Sequence, residues 1–260
     1  MTETPDTGSE PARTKGLLEG PRVAQAALAA AAVALVVAVV PWFTGGPSDG
    51  QIRRYLLEHP EMLQEMSAAL QVKADNDRTA TINQRAAANP QLLAVDARDP
   101  AFGPADARVT VIEFFDFRCP GCKATAPEVL RLMQAHPDVR FVFKDWPILD
   151  RPGEDVSHMA ARAAQAAHLQ GKYLPVFRAM MAEPALDEAA IARILSENGV
   201  SLAQAQEAMA SADVARHLGD IHTAAAALSL SGTPTFFING TASPSIQPAD
   251  IDRAIRAAKG

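Results

Sequence analysis

The sequence predicts an α/β fold in which a long helical segment interrupts a small sheet. Three observations predict it. A β-branched and aromatic run that starts at Val109 has the composition of a buried strand and leads directly into a helical pattern. A second apolar strand follows at 139–143, and strands joined by a helix are expected to be parallel. Residues 151–230 then carry five helical patterns and no strand signal, before a strand pattern returns at 235–238.

The junction between the first strand and its helix carries the only two cysteines of this 260-residue chain, in the run C-P-G-C from Cys119 to Cys122. The first turn of a helix offers unpaired N–H groups and the positive end of the helix dipole. Both favour a thiolate over a thiol, so we expect Cys119 to have a lowered pKa and to be the nucleophile. Cys122 lies one turn further along the helix, close enough to form a disulfide with Cys119.

Two other interpretations of the cysteine pair compete with a redox role. In the first interpretation, the two cysteines are half of a zinc site, which requires two further ligands. The six histidines form no tight cluster beside it in the sequence: His59, His136, His158, His168, His217 and His222. Two inert core cysteines are the second interpretation, and the Pro-Gly turn between them argues against it. The redox interpretation is favoured, and it requires no organic cofactor and no metal.

Two stretches resemble a known family. The run E-F-F-D-F-R-C-P-G-C, which starts at Glu113, resembles the active-site entry of the DsbA-like thiol-disulfide oxidoreductases of the thioredoxin superfamily. The continuation C-K-A-T-A-P, up to Pro127, is similar to the thioredoxin helix that a proline kinks. Far downstream, G-T-P-T-F-F-I-N-G at 232–240 resembles the cis-proline loop of the family. The resemblance covers about 99–260 and implies a thioredoxin-like fold with a DsbA-type helical insertion at about 151–230.

The resemblance also implies roles for particular residues. Cys119 exchanges disulfides with a substrate, and Cys122 resolves the mixed disulfide. Pro234 is the cis residue that faces the cysteines, and Thr233 before it helps to orient the substrate backbone as an added strand.

Glu113 is expected on the same strand face as Val111 and Phe115, where a buried carboxylate needs a partner. By resemblance, Glu113 and Lys144 form a polar pair beneath the cysteines that moves the proton of Cys122. The alternatives are a structural ion pair, or a Lys144 side chain that extends to solvent.

The region before the catalytic domain predicts a membrane attachment. Residues 1–22 are polar and are predicted to form a disordered cytoplasmic tail. The eighteen residues from Val23 to Val40 carry no charge, which predicts a transmembrane anchor over 23–42. A cleaved signal peptide is the alternative, but no small-x-small cleavage site follows the apolar run. Either interpretation exports the rest of the chain, and the anchor places the N-terminus in the cytoplasm of a bacterium and the catalytic domain in the periplasm.

Residues 43–97 are predicted to form a helical stalk, followed by the catalytic domain at 98–260. His59-Pro60 interrupts the helix, and Leu92 to Val95 is predicted as a short first strand. A narrow apolar stripe, formed by Met62, Leu63, Met66 and Leu70, is buried either between the subunits of a homo-oligomer or against the catalytic domain. The run from 52 to 63 resembles the N-terminal extension of DsbA-like proteins of the suppressor-of-copper-sensitivity type.

The sequence therefore predicts a thiol-disulfide oxidoreductase whose partners are exported proteins and a membrane protein that restores its redox state. A net charge of −6 without a basic block argues against nucleic acid as a partner. The direction of exchange stays open between an oxidase and an isomerase or reductase. The Pro-Gly dipeptide favours a less oxidising site, because it has no histidine to add charge at the helix terminus. The Thr before the cis-proline resembles the isomerase and reductase branches, whereas the helical insertion is common to the oxidases.

Two further hypotheses come from other functional classes. The same cysteine pair suits Cu(I), a soft ion that prefers thiolates, although the chain has no Met- or His-rich tract to support a copper-handling role. An assembly factor that binds partners without turnover is the third hypothesis. The intact C-P-G-C run and the cis-proline loop argue against it.

Overall fold

The structure, a computed structural model, describes residues 21–44 and 49–260. Residues 1–20 of the predicted cytoplasmic tail, and 45–48 at the start of the stalk, lie outside the described residues. The chain divides after Ala69 into two units. The first contains α1 (Pro21–Thr44), α2 (Asp49–Glu58) and the beginning of α3 (Glu61–Ala88). The break between α2 and α3 falls at the predicted His59-Pro60 step.

The anchor predicted over 23–42 coincides with α1. Of the residues that the structure describes, no helix is both long enough and apolar enough to cross a membrane. The membrane anchor therefore stays a prediction.

The second unit is built on a five-stranded sheet in the order β1-β3-β2-β4-β5. Its strands are β1 (Ala101–Phe102), β2 (Thr110–Phe115), β3 (Arg140–Asp145), β4 (Thr235–Ile238) and β5 (Thr241–Ala242). The predicted parallel pairing of β2 with β3 is confirmed, and the other neighbouring strands are antiparallel. The strand predicted at Leu92 to Val95 is wrong. A 3₁₀ helix occupies Pro90–Leu93, where a proline at the first position favours a helical turn.

Seven helices complete the second unit: α4 (Pro120–Ala135), α5 (Val156–Leu169), α6 (Tyr173–Ala182), α7 (Glu188–Glu197), α8 (Leu202–Ala210), α9 (Ala212–Ala227) and α10 (Pro248–Lys259). The five helices α5 to α9 fill the region predicted as a helical insertion. α5 is buried on several sides because it is rich in alanine, whose small side chain lets neighbouring helices approach closely. Its buried alanines are Ala160, Ala161, Ala163, Ala164, Ala166 and Ala167.

Strand alternation divides the core into two layers. We call the layer that receives Val111, Glu113 and Phe115 the cysteine face, because Cys119 and Cys122 pack in it. The rest of α4, α10 and most of the insertion cover this face. Ile112 and Phe114 point to the opposite layer, which we call the lysine face after Lys144. The lysine face is covered by α9 and by the last turns of α3.

Candidate active site

The two cysteines lie where β2 has ended and α4 begins. Cys119 is the N-cap of α4 with an extended backbone, and Pro120 occupies the first helical turn, where its missing N–H has no consequence. Cys122 follows in that turn. Both cysteines are free thiols, and 8% of Cys119 is exposed whereas Cys122 is fully buried. Only Cys119 can therefore meet an external disulfide.

The surroundings of the two sulfurs shift their pKa values in opposite directions. The pKa of Cys119 falls to about 5, chiefly because the Cys122 side chain donates a hydrogen bond to it. Burial opposes this shift, while the Thr233 side chain and the backbone N–H groups of the first helical turn support it. The pKa of Cys122 is raised, first by burial, then by its bond to Cys119 and by the nearby charge of Glu113. At neutral pH the arrangement favours a Cys119 thiolate beside a Cys122 thiol.

The loop at Pro234 lies directly against the cysteine turn. The peptide bond between Thr233 and Pro234 is cis, as the resemblance implies. In the thiol form, Cys119 donates a hydrogen bond from Sγ to the Thr233 carbonyl oxygen at 3.2 Å. A Cβ placed on Gly121 would lie 3.2 Å from Pro234 Cδ, so the glycine permits this close approach. The structure thus brings together Cys119, Thr233 and Pro234 from two distant parts of the chain.

Asp116 organises the loop between β2 and α4, and it was not among the site residues predicted from the sequence. Its carboxylate is buried, and Oδ1 accepts hydrogen bonds from Arg118 N at 2.7 Å and Ser157 Oγ at 3.0 Å. The other oxygen accepts from the backbone N–H groups of Ile148 and Leu149. Four donors hold this carboxylate, so it supports the cysteine turn. An acidic residue inside an apolar run is the signal that could have identified it.

Glu113 is buried on the cysteine face without a partner. It is 2% exposed, and among the described residues neither carboxylate oxygen has a hydrogen-bond partner. Burial raises the pKa of this carboxyl to about 8, with smaller contributions from the charges of Asp145 and Cys119. A buried carboxyl group with a raised pKa therefore lies close enough to Cys119 for the two charges to interact, and its predicted part in the exchange stays a prediction.

The predicted polar pair between Glu113 and Lys144 is wrong. In the parallel pairing of β2 with β3, Glu113 lies beside Phe143, whereas Lys144 lies beside Phe114 and so points to the lysine face. Lys144 Nζ donates instead to Asp99 Oδ2 at 2.5 Å and to the Ala94 carbonyl oxygen at 3.0 Å. The lysine is also buried, so it does not extend to solvent.

Asp145 is a second buried carboxyl group on the cysteine face, and it was not predicted from the sequence. It lies beside Phe115 in the strand pairing and is 1% exposed. Tyr173 Oη donates to Asp145 Oδ1 at 2.7 Å, and Gln165 Nε2 donates to Oδ2 at 3.2 Å. The pKa of Asp145 is raised to about 7 by burial, against the effect of these two hydrogen bonds. Glu113 and Asp145 thus form an acidic layer under the active-site helix.

Comparison with known proteins identifies the family. The family model described as thioredoxin matches residues 96–257. A thioredoxin-like oxidoreductase from Silicibacter pomeroyi is 36% identical, with a TM-score of 0.58, and the match covers 64% of this chain and 95% of that one. BcfH from Salmonella enterica Typhimurium is 30% identical, with a TM-score of 0.62, over 88% of this chain and all of its own.

A thiol-disulfide exchange protein of Wolbachia pipientis, α-DsbA2, shares the fold at 19% identity. Its TM-score is 0.60, and the match covers 71% of this chain and 97% of that one. A relative named as an antiporter, the Na⁺/H⁺ antiporter NhaA 3 of Salinispora tropica, is 35% identical over 144 residues, which are 55% of this chain. The chain spans only 22% of that antiporter's length. The chain belongs to the thioredoxin family and is similar to a thioredoxin-like oxidoreductase of that family.

Proposed function

We propose that this chain exchanges disulfides with exported proteins through Cys119 and Cys122. The observation that carries the proposal is the contrast between the two sulfurs. Cys119 is partly exposed at a helix N-terminus with a pKa of about 5, and Cys122 is a buried thiol with a raised pKa beside it. A reactive thiolate with an adjacent resolving thiol is the arrangement that disulfide exchange requires.

The exchange proceeds in two displacements. The Cys119 thiolate attacks one sulfur of a substrate disulfide, a new S–S bond forms, and the other substrate sulfur leaves as a thiolate. The Cys122 thiol then loses its proton and attacks the Cys119 sulfur, which releases the reduced substrate and leaves a Cys119–Cys122 disulfide. The ionised carboxylate of Glu113 accepts the proton that Cys122 loses. Its pKa of about 8 lets this carboxyl group exchange a proton near neutral pH. Oxidation of a substrate runs through the same steps in reverse.

The loop before Pro234 orients the substrate backbone. The Thr233 carbonyl oxygen already lies 3.2 Å from Cys119 Sγ. Among the described residues, the backbone N–H groups of Gly232 and Thr233 have no hydrogen-bond partner. An extended polypeptide can therefore pair with this segment while its cysteine reaches Cys119.

The direction of exchange is tested by reactivation of a model enzyme with scrambled disulfides, using the full chain in mild detergent and its Cys119→Ser variant. Reactivation by the native chain alone identifies an isomerase. Rapid oxidation of a reduced peptide without reactivation identifies an oxidase. Inactivity in both assays overturns the proposal and favours the copper hypothesis, which titration of the reduced protein with Cu(I) then tests through a tight one-to-one complex.

We also propose that the N-terminal helix anchors the chain in the bacterial inner membrane, with the catalytic domain in the periplasm. Apolar side chains in the described part of α1 are exposed, among them Leu28 at 72% and Val33 at 63%. Such a helix favours an apolar environment, and disulfide chemistry fits an exported domain. The test is a fusion, after Thr44, to a reporter enzyme that is active only outside the cytoplasm. We expect this reporter to be active, and we expect the full chain to stay in the membrane fraction during extraction at high pH. Release by alkaline extraction contradicts it.

The apolar stripe of α3 supports a homo-oligomer. Leu63, Met66 and Leu70 are 63%, 52% and 66% exposed. Burial between copies of the same helix would remove these side chains from water. Sedimentation of the native chain and of a Leu63→Glu, Met66→Glu variant measures this directly: the native chain should be an oligomer and the variant a monomer. A native monomer in detergent contradicts the proposal.

A further inference from the structure

A cavity of about 300 Å³ lies between α5, α9 and the segment that follows β3. Pro147, Ala215 and Leu218 give it apolar walls. Neither cysteine lines it, nor does the loop at 232–234, so the cavity is separate from the site of disulfide exchange. Among the described residues, no aspartate or glutamate lines it, although the chain carries a net charge of −6. A cavity without acidic side chains in an acidic protein favours a negatively charged ligand.

Arg162 brings to this cavity a positive charge that no described residue neutralises. It is half-buried on α5, and its guanidinium makes no hydrogen bond and no ion pair within the described part of the chain. Arg98 and Arg118, by comparison, each pair with aspartates. A guanidinium presents five N–H donors in a planar fork that matches the oxygens of a carboxylate or a phosphate. The donors of Arg162 are therefore available to a bound oxyanion.

Two histidines that line the cavity are each held through one ring nitrogen. Trp146 Nε1 donates to His222 Nδ1 at 3.3 Å, so His222 carries its proton on Nε2, which is a donor. His158 Nδ1 lies 2.7 Å from Asp150 Oδ2, and because a carboxylate only accepts, Nδ1 of His158 is the donor. The Nε2 atoms of both rings have no partner among the described residues. Both rings are thus oriented by the protein and keep one nitrogen for a ligand.

The room in the cavity depends on a glycine of α9. An added Cβ on Gly219 would meet no atom within 4 Å. A glycine inside a helix is less favourable than an alanine, so an open wall is obtained here at a cost in helix stability. Ala215, Gly219 and His222 lie at helical spacing on one face of α9, and Arg162 follows His158 by one turn of α5. The two helices therefore present their donors to the same space.

We infer that this cavity binds a small organic acid, whose carboxylate or phosphate group is held by Arg162 and by Nε2 of His222. The apolar walls at Pro147 and Leu218 contact the body of the ligand. The volume is far above the roughly 10–15 Å³ that a single water molecule needs, so the site has space for such a body. Binding requires no reaction of the cysteines, and the site is additional to the proposed disulfide exchange.

Isothermal titration calorimetry of the full chain in mild detergent, in a buffer free of phosphate and carboxylates, tests the inference. The probes are phenyl phosphate and benzoate, which differ in the acid group, inorganic phosphate, which has no apolar body, and benzyl alcohol, which has no charge. One or both aromatic acids should bind one-to-one and more tightly than inorganic phosphate, and benzyl alcohol should not bind. Absence of binding by both acids overturns the inference, as does equal affinity for phenyl phosphate and inorganic phosphate.

Matched variants assign the binding to this cavity. Arg162→Gln should weaken binding of the aromatic acid by about tenfold or more, because it removes a hydrogen bond between charged groups. Arg178→Gln is the control, since Arg178 is an exposed arginine of α6 that also has no partner among the described residues and lies outside this cavity. Gly219→Leu should fill the cavity and abolish binding, whereas Gly219→Ala should bind like the native chain. Equal losses in the two arginine variants overturn the inference.

The ring nitrogens of His222 provide a readout that a loss of folding cannot imitate. In nitrogen NMR of the native chain, the Nε2 signal of His222 should shift on addition of the aromatic acid, and it should not shift in Arg162→Gln at the same ligand concentration. Disulfide exchange by all four variants should stay at the native level, because none of the substituted residues lies in the cysteine site. Heat of binding without a shift of the His222 signal would place the ligand elsewhere and overturn the inference.

Discussion

The two faces of the central sheet bury charged groups in opposite ways. On the lysine face, Lys144 and Asp99 form a close ion pair with side chains that are 7% and 0% exposed. On the cysteine face, Glu113 is equally buried, and neither of its oxygens has a partner among the described residues. Two neighbouring positions of the paired strands β2 and β3 thus differ: the charge of Lys144 has a partner, and the carboxyl group of Glu113 has none among the described residues.

The difference separates a structural use of charge from a chemical one. A buried ion pair is tolerated because each charge satisfies the other. A buried carboxyl group without a partner lowers stability when it ionises, and such groups are concentrated at sites where protons move. Glu113 lies beneath the cysteines and has a pKa of about 8, so we assign its cost in stability to the exchange reaction.

The largest effect is expected on the lysine face. Lys144→Met keeps the length of the side chain but leaves Asp99 buried without its cation, because Lys144 Nζ is the donor at 2.5 Å. Removal of one partner from a buried pair costs about 3–5 kcal/mol of unfolding free energy. Urea unfolding measures this loss, while exchange activity per folded molecule should stay at the native level. A loss below about 1 kcal/mol would show that the pair is not structural.

On the cysteine face, Glu113→Gln is expected to raise the free energy of unfolding at high pH, whereas Lys144→Met lowers it. The folded pKa of Glu113 is raised from its ordinary value to about 8, so between these values the folded state holds a proton that the unfolded state has lost. Native stability therefore falls as pH rises through this window, by up to about 1.4 kcal/mol per pH unit. Glutamine mimics the protonated acid and removes this dependence.

Urea unfolding of the reduced proteins across that window checks the prediction. The two proteins should be similar in stability near pH 4, and the variant should be the more stable one at pH 8. The same pH slope in both proteins would mean that folding does not raise the pKa of Glu113.

A smaller effect is expected on the pKa of the Cys119 thiol. The largest cause of the low Cys119 pKa is the hydrogen bond from Cys122, so Cys122→Ala should move the Cys119 pKa from about 5 toward the value of about 8.5 for a free cysteine. The pH dependence of alkylation by iodoacetamide reports the midpoint. Glu113→Gln, which leaves this bond in place, serves as the control. A midpoint that stays at about 5 in Cys122→Ala would assign the low pKa to Thr233 and the helix terminus instead.

The smallest effect is expected from Asp145→Asn. The charge of Asp145 contributes to the raised pKa of Glu113 after the dominant effect of burial, so its removal should lower the titration midpoint of Glu113 below about 8. Carbon NMR of the Glu113 carboxyl group measures that midpoint. Asp220→Asn, at an exposed aspartate that pairs with Arg98, should leave it unchanged. An unaltered midpoint in Asp145→Asn would mean that the two carboxyl groups titrate independently.

The reactive centre was more predictable from the sequence than the residues that surround and support it. The C-P-G-C run and the proline loop are local motifs, so the position of Cys119 at a helix start and the cis bond before Pro234 were both predictable. The partner of Lys144 was not. The face to which a strand residue points depends on the register between β2 and β3, and a shift of one residue reverses it.

Asp116 and Asp145 were missed for a related reason. Each is an acidic residue next to the end of a strand, where the pattern alone is also typical of an exposed turn. Their burial depends on donors from the helical insertion, such as Ser157, Gln165 and Tyr173, whose positions only tertiary packing determines. Leu92 to Val95 failed at the local level, because an apolar run this short is compatible with a helical turn as well as a strand.

The proposed exchange requires Cys119 as the attacking sulfur and Cys122 as the resolving one. A single trapping experiment tests both roles: the reduced Cys122→Ala and Cys119→Ser variants are mixed with a peptide disulfide, and the products are identified by intact-mass and peptide-mass spectrometry. Cys122→Ala should accumulate a stable mixed disulfide on Cys119, because no second thiol can release it, and Cys119→Ser should form none. Absence of the adduct on Cys119, or an equal adduct on Cys122 in the Cys119→Ser variant, would contradict the proposed mechanism.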